Sequence, residues 1–395
     1  MPTIVKLPRS PNAERIRPGL TIDHTQRHSE VTVDDPILPA FDDGCVTDLI
    51  GALLGAGSDP LPAAFPTAGA RVLFVLDGLG WDQLKARPEL TPTLSAMSGG
   101  PITTVAPSTT ATALTSIATG LTPGEHGIVG YRMVVDDDVL NCLRWATDRI
   151  PDARRIIPPS SLQPYPPFRD EALSLVTKAE FRRSGFTDAH LRGGRMVGYR
   201  TPALLVHEAA RLVAEGEEAV YVYYDGIDKV AHEYGLGSAY EAEVAFADRL
   251  VADVVAAVPT GTTVMVSADH GQVDCRGGEV EIDDEVLGHT EQLSGEGRFR
   301  WLHARSGRHA ALLEAAEACH GSIAWVRSFE QMHDEGWFGP AMNADVRSRL
   351  GDVALLPFEH HSFADPADTG PFELISRHGS LTAAEMLVPC LVATA

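Results

Sequence analysis

Arg71-Val-Leu-Phe-Val-Leu-Asp77-Gly78 is a short, β-branched and apolar run that ends in a carboxylate and a glycine. Such a run reads as a strand buried on both faces, as in parallel sheets, with its C-terminal end opening into a loop. The pattern recurs twice: AVYVYYDGID runs from Ala219 to Asp228, and TTVMVSADHG from Thr262 to Gly271. Helical periodicity lies between them, in ALLVHEAARLVAEG before the second run and SAYEAEVAFADRLVADVVAAV before the third, with apolar residues three and four apart. This alternation predicts an α/β fold with a mostly parallel central sheet covered by helices on both faces. Ligands bind such sheets at the carboxyl ends of the strands, where all three runs deliver an aspartate.

Working outward, residues 1–40 carry prolines and scattered charges without periodicity and read as an irregular arm. The catalytic domain is expected over 41–276 and 373–395. Between them, 277–372 reads as an inserted cap subdomain, with a Gly-rich loop at LSGEGRFR, a strand-like FRWLHA and a helix-like RHAALLEAAEACH. The terminal LTAAEMLVPCLVA is expected to return to the main domain as a helix turn and an edge strand.

A chain of 395 residues with 44% hydrophobic content can bury a large core. Its net charge of −22 repels phosphate backbones and anionic membranes at long range, which disfavours general nucleic-acid binding. A small anionic substrate would need a local positive field, such as bound cations supply. The five cysteines are dispersed and include no C-x-x-C pair, so reduced thiols are expected. With no apolar leader or membrane-length stretch in the sequence, a soluble cytoplasmic protein is expected.

Six carboxylate and imidazole groups are the candidate metal ligands. Asp77 leaves a rigid strand just before a glycine. Asp269 and His270 are adjacent at a strand end, where Gly271 permits the strand to break. Asp228 and His232, four apart, share one face of a helical turn and form a natural chelate, with Asp225 a competing carboxylate in the same loop. His378, in Ser-Arg-His-Gly-Ser, completes the set. Ser108, Thr109 and Thr110 follow Pro107 and precede the helix-compatible ATALTSIATG, so they stand where N-caps stand. A helix start is also an anion site, and a threonine there can attack phosphorus if a metal ionises it.

Taken together, VLDGLG, PSTTATALTSIATGLTPGEHGIVG, YYDGIDKVAHEYG, SADHG and RHGSLTAAEMLVP span most of the chain. In that order they resemble the alkaline phosphatase superfamily, in its nucleotide pyrophosphatase/phosphodiesterase branch. The resemblance implies Thr110 as nucleophile, with Thr109 the fallback. It implies one metal on Asp77, Thr110, Asp269 and His270 and another on Asp228, His232 and His378; His126, in the GEHGIVG turn, also matches a family position but is read as a structural turn histidine rather than a ligand. Two divalent ions are expected, zinc first, with manganese or iron tolerated by the same ligands. The implied reaction is metal-dependent hydrolysis of phosphodiester or pyrophosphate bonds through a phosphothreonine intermediate, on a small phosphate ester or nucleotide-like substrate. The alternatives are a phosphomonoesterase, phosphonate hydrolase or phosphomutase on the same core, and a metal-binding protein without turnover. The chain departs from the family just after the nucleophile, where Ala111 and Ala113 replace an aromatic residue and a phosphate-orienting amide. Asn141, Arg298 and Arg300 are the candidates to stand in. Oligomeric state is not legible.

Overall fold

The three runs become neighbouring parallel strands. Arg71–Leu76 lies between Thr263–Ser267 and Ala219–Tyr224, in parallel register with both. All six of its residues are buried, which explains the lack of polar alternation. The computed structural model describes residues 35–57, 59–370 and 373–395. All but the last six residues of the expected arm therefore lie outside the described residues, and 36–395 form one unit.

The central sheet has seven strands. Their order is Ser98–Thr103, Leu387–Thr394, Thr263–Ser267, Arg71–Leu76, Ala219–Tyr224, Ser174–Lys178 and Arg195–Tyr199. Leu387–Thr394 alone runs antiparallel to its neighbours. It is not the edge strand its sequence suggested but lies one strand in from the edge. Val388–Leu391 is a continuous buried run, as an interior strand requires. Its proline is tolerated because Pro389 faces Pro101 and lies beyond the last pair with Thr263–Ser267, Cys390 with Ser267. Helices flank the sheet, among them Thr110–Thr119, Pro202–Ala214, Gly226–Tyr234 and Ser238–Ala257.

Two smaller sheets stand over the carboxyl edge. Arg132–Val135, Asp138–Asn141 and Ala146–Thr147 form a three-stranded antiparallel sheet that the sequence did not suggest. Within 277–372, four antiparallel strands lie in the order Thr290–Glu296, Phe299–Ala304, Val353–Pro357 and Ala324–Ser328. LSGEGRFR is thus a hairpin rather than a loop, with Glu296 opposite Phe299 across Gly297 and Arg298. Period-two alternation splits this sheet between two cores. Phe299, Trp301, Ala354 and Leu356 join the main core, whereas Leu302, Val353 and Leu355 pack with Val286 and Leu312 in a smaller one.

The hairpin tip is tied down by a buried ion pair. Arg298 Nε and Nη2 donate to the two carboxylate oxygens of Glu385 at 2.7 and 2.8 Å, and both side chains are fully buried. Glu385 also accepts from the Ser380 backbone N–H and the Thr382 hydroxyl. Arg300 is likewise buried, and donates to Asp365 and the Phe363 carbonyl. Both arginines are therefore structural and do not replace the missing phosphate-orienting amide.

Candidate active site

Asp77, Asp228, Asp269, His232, His270 and His378 meet at the carboxyl edge of the central strands, beside the first turn of the helix Thr110–Thr119. His270 Nε2 lies 3.4 Å from Asp77 Oδ1, 3.5 Å from Asp269 Oδ2 and 3.0 Å from the Thr110 hydroxyl. On the other side, Asp228 Oδ1 lies 3.1 Å from His232 Nε2 and 3.8 Å from His378 Nε2. The His270 and His378 rings stack at 3.5 Å between the two halves. Ligand atoms of Asp77, Asp269 and His270 fall within 4.8 Å of one another, as do those of Asp228, His270 and His378.

The backbone makes this convergence possible at Gly78. Its φ is +78°, and a Cβ there would stand 2.9 Å from Gln272 Nε2 and 3.0 Å from Asp228 Cα. Without a side chain, Gly78 also brings its N–H to Asp269 Oδ1 at 3.1 Å.

All three histidines are oriented alike. Nδ1 of His232 faces the Ser376 carbonyl at 2.6 Å, that of His270 the Gly271 carbonyl at 3.0 Å, and that of His378 the Ser108 carbonyl at 2.9 Å. A carbonyl only accepts, so each Nδ1 carries a proton and each Nε2 faces the centre, where in the neutral ring its lone pair is available as in metal-binding histidines. Ser108 serves this geometry, since its hydroxyl donates to the Ser380 carbonyl and accepts from the Gly379 N–H.

Charge in the cluster is unbalanced. Burial raises the Asp77 and Asp269 carboxyls above the usual range, and Asp228 adds to both shifts. At Asp228 burial pulls the same way, but His232, His378 and His270 outweigh it and hold the group low. Burial works against protonating His232, yet Asp228 prevails and raises it; burial and then His270 push His378 well down. Among the described residues no lysine or arginine pairs with these three aspartates, and buried Asp77 Oδ1 and Asp269 Oδ2 have no hydrogen-bond partner. A buried carboxylate set without a cation is costly, so this donor set fits divalent metal.

Other sequence candidates sort themselves by contact. Asp225 is held by Lys178 and Lys229 at 2.6 and 2.7 Å and stands apart from the cluster. Asp225 rather than Asp228 occupies the N-cap of the helix Gly226–Tyr234. His126 is fully buried; its Nδ1 accepts the Ile128 N–H, and its Nε2 lies 2.9 Å from the Ser116 hydroxyl, so it is a turn histidine. Thr109 is the N-cap and Thr110 the first helical residue. Ala111 and Ala113 are buried and supply no polar group.

Three residues escaped sequence reading. The Tyr223 hydroxyl donates to Asp77 Oδ2, and Gln272 Nε2 donates to Asp228 Oδ1 at 2.6 Å. Glu296, at the hairpin tip, lines a cleft of about 210 Å³ with Thr109, Thr110, Tyr131, His232, Arg377 and His378. Burial raises its carboxyl to about 8, against a lowering hydrogen bond from Thr109. A second cavity of about 250 Å³ also includes Thr110, with Leu114, Leu143, Phe181, Phe186 and Leu191 in its wall.

Carboxylates and imidazoles gathered with a helix-start threonine at the carboxyl edge of such a sheet define a hydrolase of the alkaline phosphatase superfamily. The family model for type I phosphodiesterase / nucleotide pyrophosphatase matches residues 71–174 and 200–328, and the chain belongs to that family. No curated protein sequence matches it. Among solved structures it is similar to murine ectonucleotide pyrophosphatase / phosphodiesterase 5, at 15% identity and a TM-score of 0.59, covering 82% of this chain and 88% of that one. A structure of an inactive Thr-to-Ala variant of that murine protein in complex with AMP is similar at 14% identity and a TM-score of 0.59, with the same coverage of 82% and 88%. Phosphonoacetate hydrolase from Sinorhizobium meliloti 1021, in complex with phosphonoacetate, is similar at 18% identity and 0.61, covering 84% and 90%.

Proposed function

We propose that the protein hydrolyses phosphodiester or pyrophosphate bonds of a small substrate at a two-metal site, with Thr110 as nucleophile. The observation that carries this reading is the Thr110 hydroxyl, 3.0 Å from His270 Nε2 at the start of a helix and beside buried carboxylates that pair with no lysine or arginine among the described residues. Asp77, Asp269, His270 and Thr110 would hold one ion and Asp228, His232 and His378 the other; mixed oxygen and nitrogen ligation suits zinc. Bound there, the ions would supply the positive charge that ionises the threonine and steadies the leaving oxygen.

The remaining work falls to the chain. Thr110 Oγ1 attacks phosphorus in line, the bond to the leaving oxygen breaks, and a phosphothreonine forms that water then hydrolyses. Intrahelical bonding starts with Ala113 N–H to the Thr109 carbonyl, so the N–H groups of Thr110, Ala111 and Thr112 remain available for phosphoryl oxygens. Leu114, Phe181 and Phe186 would shed water around an apolar ester group, and the 277–372 stretch would shape the opposite wall. The inactivity of a Thr-to-Ala variant of the murine neighbour supports the role of Thr110. The free cysteines, with Cys45, Cys142, Cys275 and Cys390 buried, support a reducing, cytoplasmic setting.

A second reading, a phosphonate or phosphomonoester hydrolase, is favoured by the likeness to phosphonoacetate hydrolase and by the alanines at 111 and 113. Turnover of bis-p-nitrophenyl phosphate against p-nitrophenyl phosphate, with metal assayed before and after chelation, separates the two. The first reading expects the diester to be preferred, with activity lost on chelation and restored by zinc. A monoester preference would support the second.

A further inference from the structure

Phosphoryl transfer at Thr110 needs a donor for the oxygen that the missing amide leaves unheld, and the three-stranded sheet brings one. Tyr131 precedes the strand Arg132–Val135 and lines the cleft that also contains Thr110, Asp228, His232 and His378. Its hydroxyl oxygen accepts Asn141 Nδ2 at 2.7 Å, and Asn141 is itself fixed by accepting the Arg144 N–H at 3.0 Å. The two residues are held in place by the hairpin. Arg132 pairs in register with Asn141, the Cys142 N–H donates to the Tyr131 carbonyl at 2.9 Å, and buried Arg132 is clamped to Asp365 at 2.6 Å.

This arrangement settles which way the tyrosine proton points in chemical terms. An amide N–H occupies one lone pair of the phenol oxygen, so the phenol's own proton is left for another acceptor. Accepting one hydrogen bond also strengthens the bond the same hydroxyl donates. Burial, with Asp368 adding to it, raises the Tyr131 phenol above its usual range, so the proton is kept at neutral pH.

The other polar groups of the cleft are charged or engaged. Arg377 is paired with Glu279 at 3.0 Å, the Thr109 hydroxyl is engaged with Glu296, and Glu296 and Asp368 are acidic. The Tyr131 hydroxyl is an uncharged donor whose own proton has no partner among the described contacts, and it stands beside Arg377, whose pairing with Glu279 engages Nη2.

The geometry points to Tyr131 as a substrate-contacting residue whose hydroxyl donates to a non-bridging phosphoryl oxygen, with Asn141 as the residue that positions it. The inference rests on phosphoryl transfer at this site and takes over the role that the sequence offered to Asn141 directly. In the ground state the tyrosine oxygen faces an acceptor with shared charge; as negative charge gathers on the peripheral oxygens, the bond tightens, so its loss is felt in kcat more than in KM.

The test is Tyr131→Phe, which removes one oxygen and keeps the ring, measured on the metal-loaded full chain with metal content and melting temperature as controls. Loss of about 10²-fold in kcat on bis-p-nitrophenyl phosphate is expected, with metal retained and KM changed little. Asn141→Ala should fall in the same direction by a smaller factor, and Asn141→Asp, which cannot donate to the phenol when ionised, should not rescue it. Calorimetric binding of orthovanadate to the same proteins reads the contact without turnover: about tenfold weaker binding to Tyr131→Phe is expected. Wild-type vanadate affinity in Tyr131→Phe would overturn the inference even if Thr110 proved not to be the nucleophile, and so would wild-type kcat in that variant. Loss of activity in Thr110→Ala together with unchanged Tyr131→Phe would sink this inference and leave the reaction standing.

Discussion

Asp77 and Asp228 reach the cluster already oriented by neutral partners, Tyr223 and Gln272. Such partners fix a carboxylate without competing for its charge, and their removal weakens metal sites by about 10–100-fold. Tyr223→Phe should therefore lower metal affinity by about that factor while leaving the fold intact, measured by competition with a chelating dye; unchanged affinity would mean that Tyr223 only packs. Neither partner was legible in the sequence. Tyr223 belongs to a strand buried on both faces, where alternation carries no information, and Gln272 belongs to no spacing pattern. Five of the six candidate ligands were legible because each sits at a strand end or on a helical turn, where a polar residue interrupts an apolar pattern; His378, in Ser-Arg-His-Gly-Ser, interrupts no such pattern and joined the set only through the others.

At the scale of elements, the hairpin Thr290–Ala304 and the C-terminal loop 376–385 are locked by Arg298 and Glu385. Replacing one partner leaves the other charge buried and alone, so Arg298→Met should cost about 3–5 kcal/mol in chemical denaturation. The same change should weaken metal binding, because the loop carries His378 and its orienting contacts to Ser108. Stability within about 1 kcal/mol of wild type would contradict the clamp. Gly78→Ala tests the opposite edge of the site: a Cβ meets Asp228 and Gln272 at about 3 Å in a backbone with φ of +78°, so metal content should fall. The hairpin read as a loop in the sequence because Gly295 and Gly297 look like turn punctuation, yet Gly295 lies inside a strand at φ +75°. The terminal strand looked peripheral for a similar reason, since a proline in a strand usually marks an edge.

Over the whole molecule, buried histidines contribute to the loss of stability in acid. Burial pushes His126 down to about 3 and His190 to about 4, against an ordinary value of 6.5. Their folded pKa values are depressed, so below pH 6.5 the unfolded chain takes up protons that the fold refuses. The stability they confer is complete above that pH and is lost as pH falls towards 4. From pH 7 to pH 5, His126 alone should remove about 2 kcal/mol, visible in urea midpoints at the two pH values; a flat profile would show that these imidazoles are not buried in solution. The parallel sheet and its aspartate-bearing edge were readable from strand–helix alternation; the helix-start hydroxyls were read from Ser108, Thr109 and Thr110 ahead of an apolar segment, and the choice of Thr110 among them came from the family resemblance. The three-stranded sheet was not readable, because its strands of four, four and two residues are too short to show a period-two alternation. The central claim is that Thr110 is the nucleophile of a metal-dependent phosphodiesterase, and the most direct test is Thr110→Ala, with turnover of bis-p-nitrophenyl phosphate and bound metal measured on the same sample. The account predicts a fall in kcat of about 10³-fold or more with metal still bound; turnover within about tenfold of wild type would contradict it.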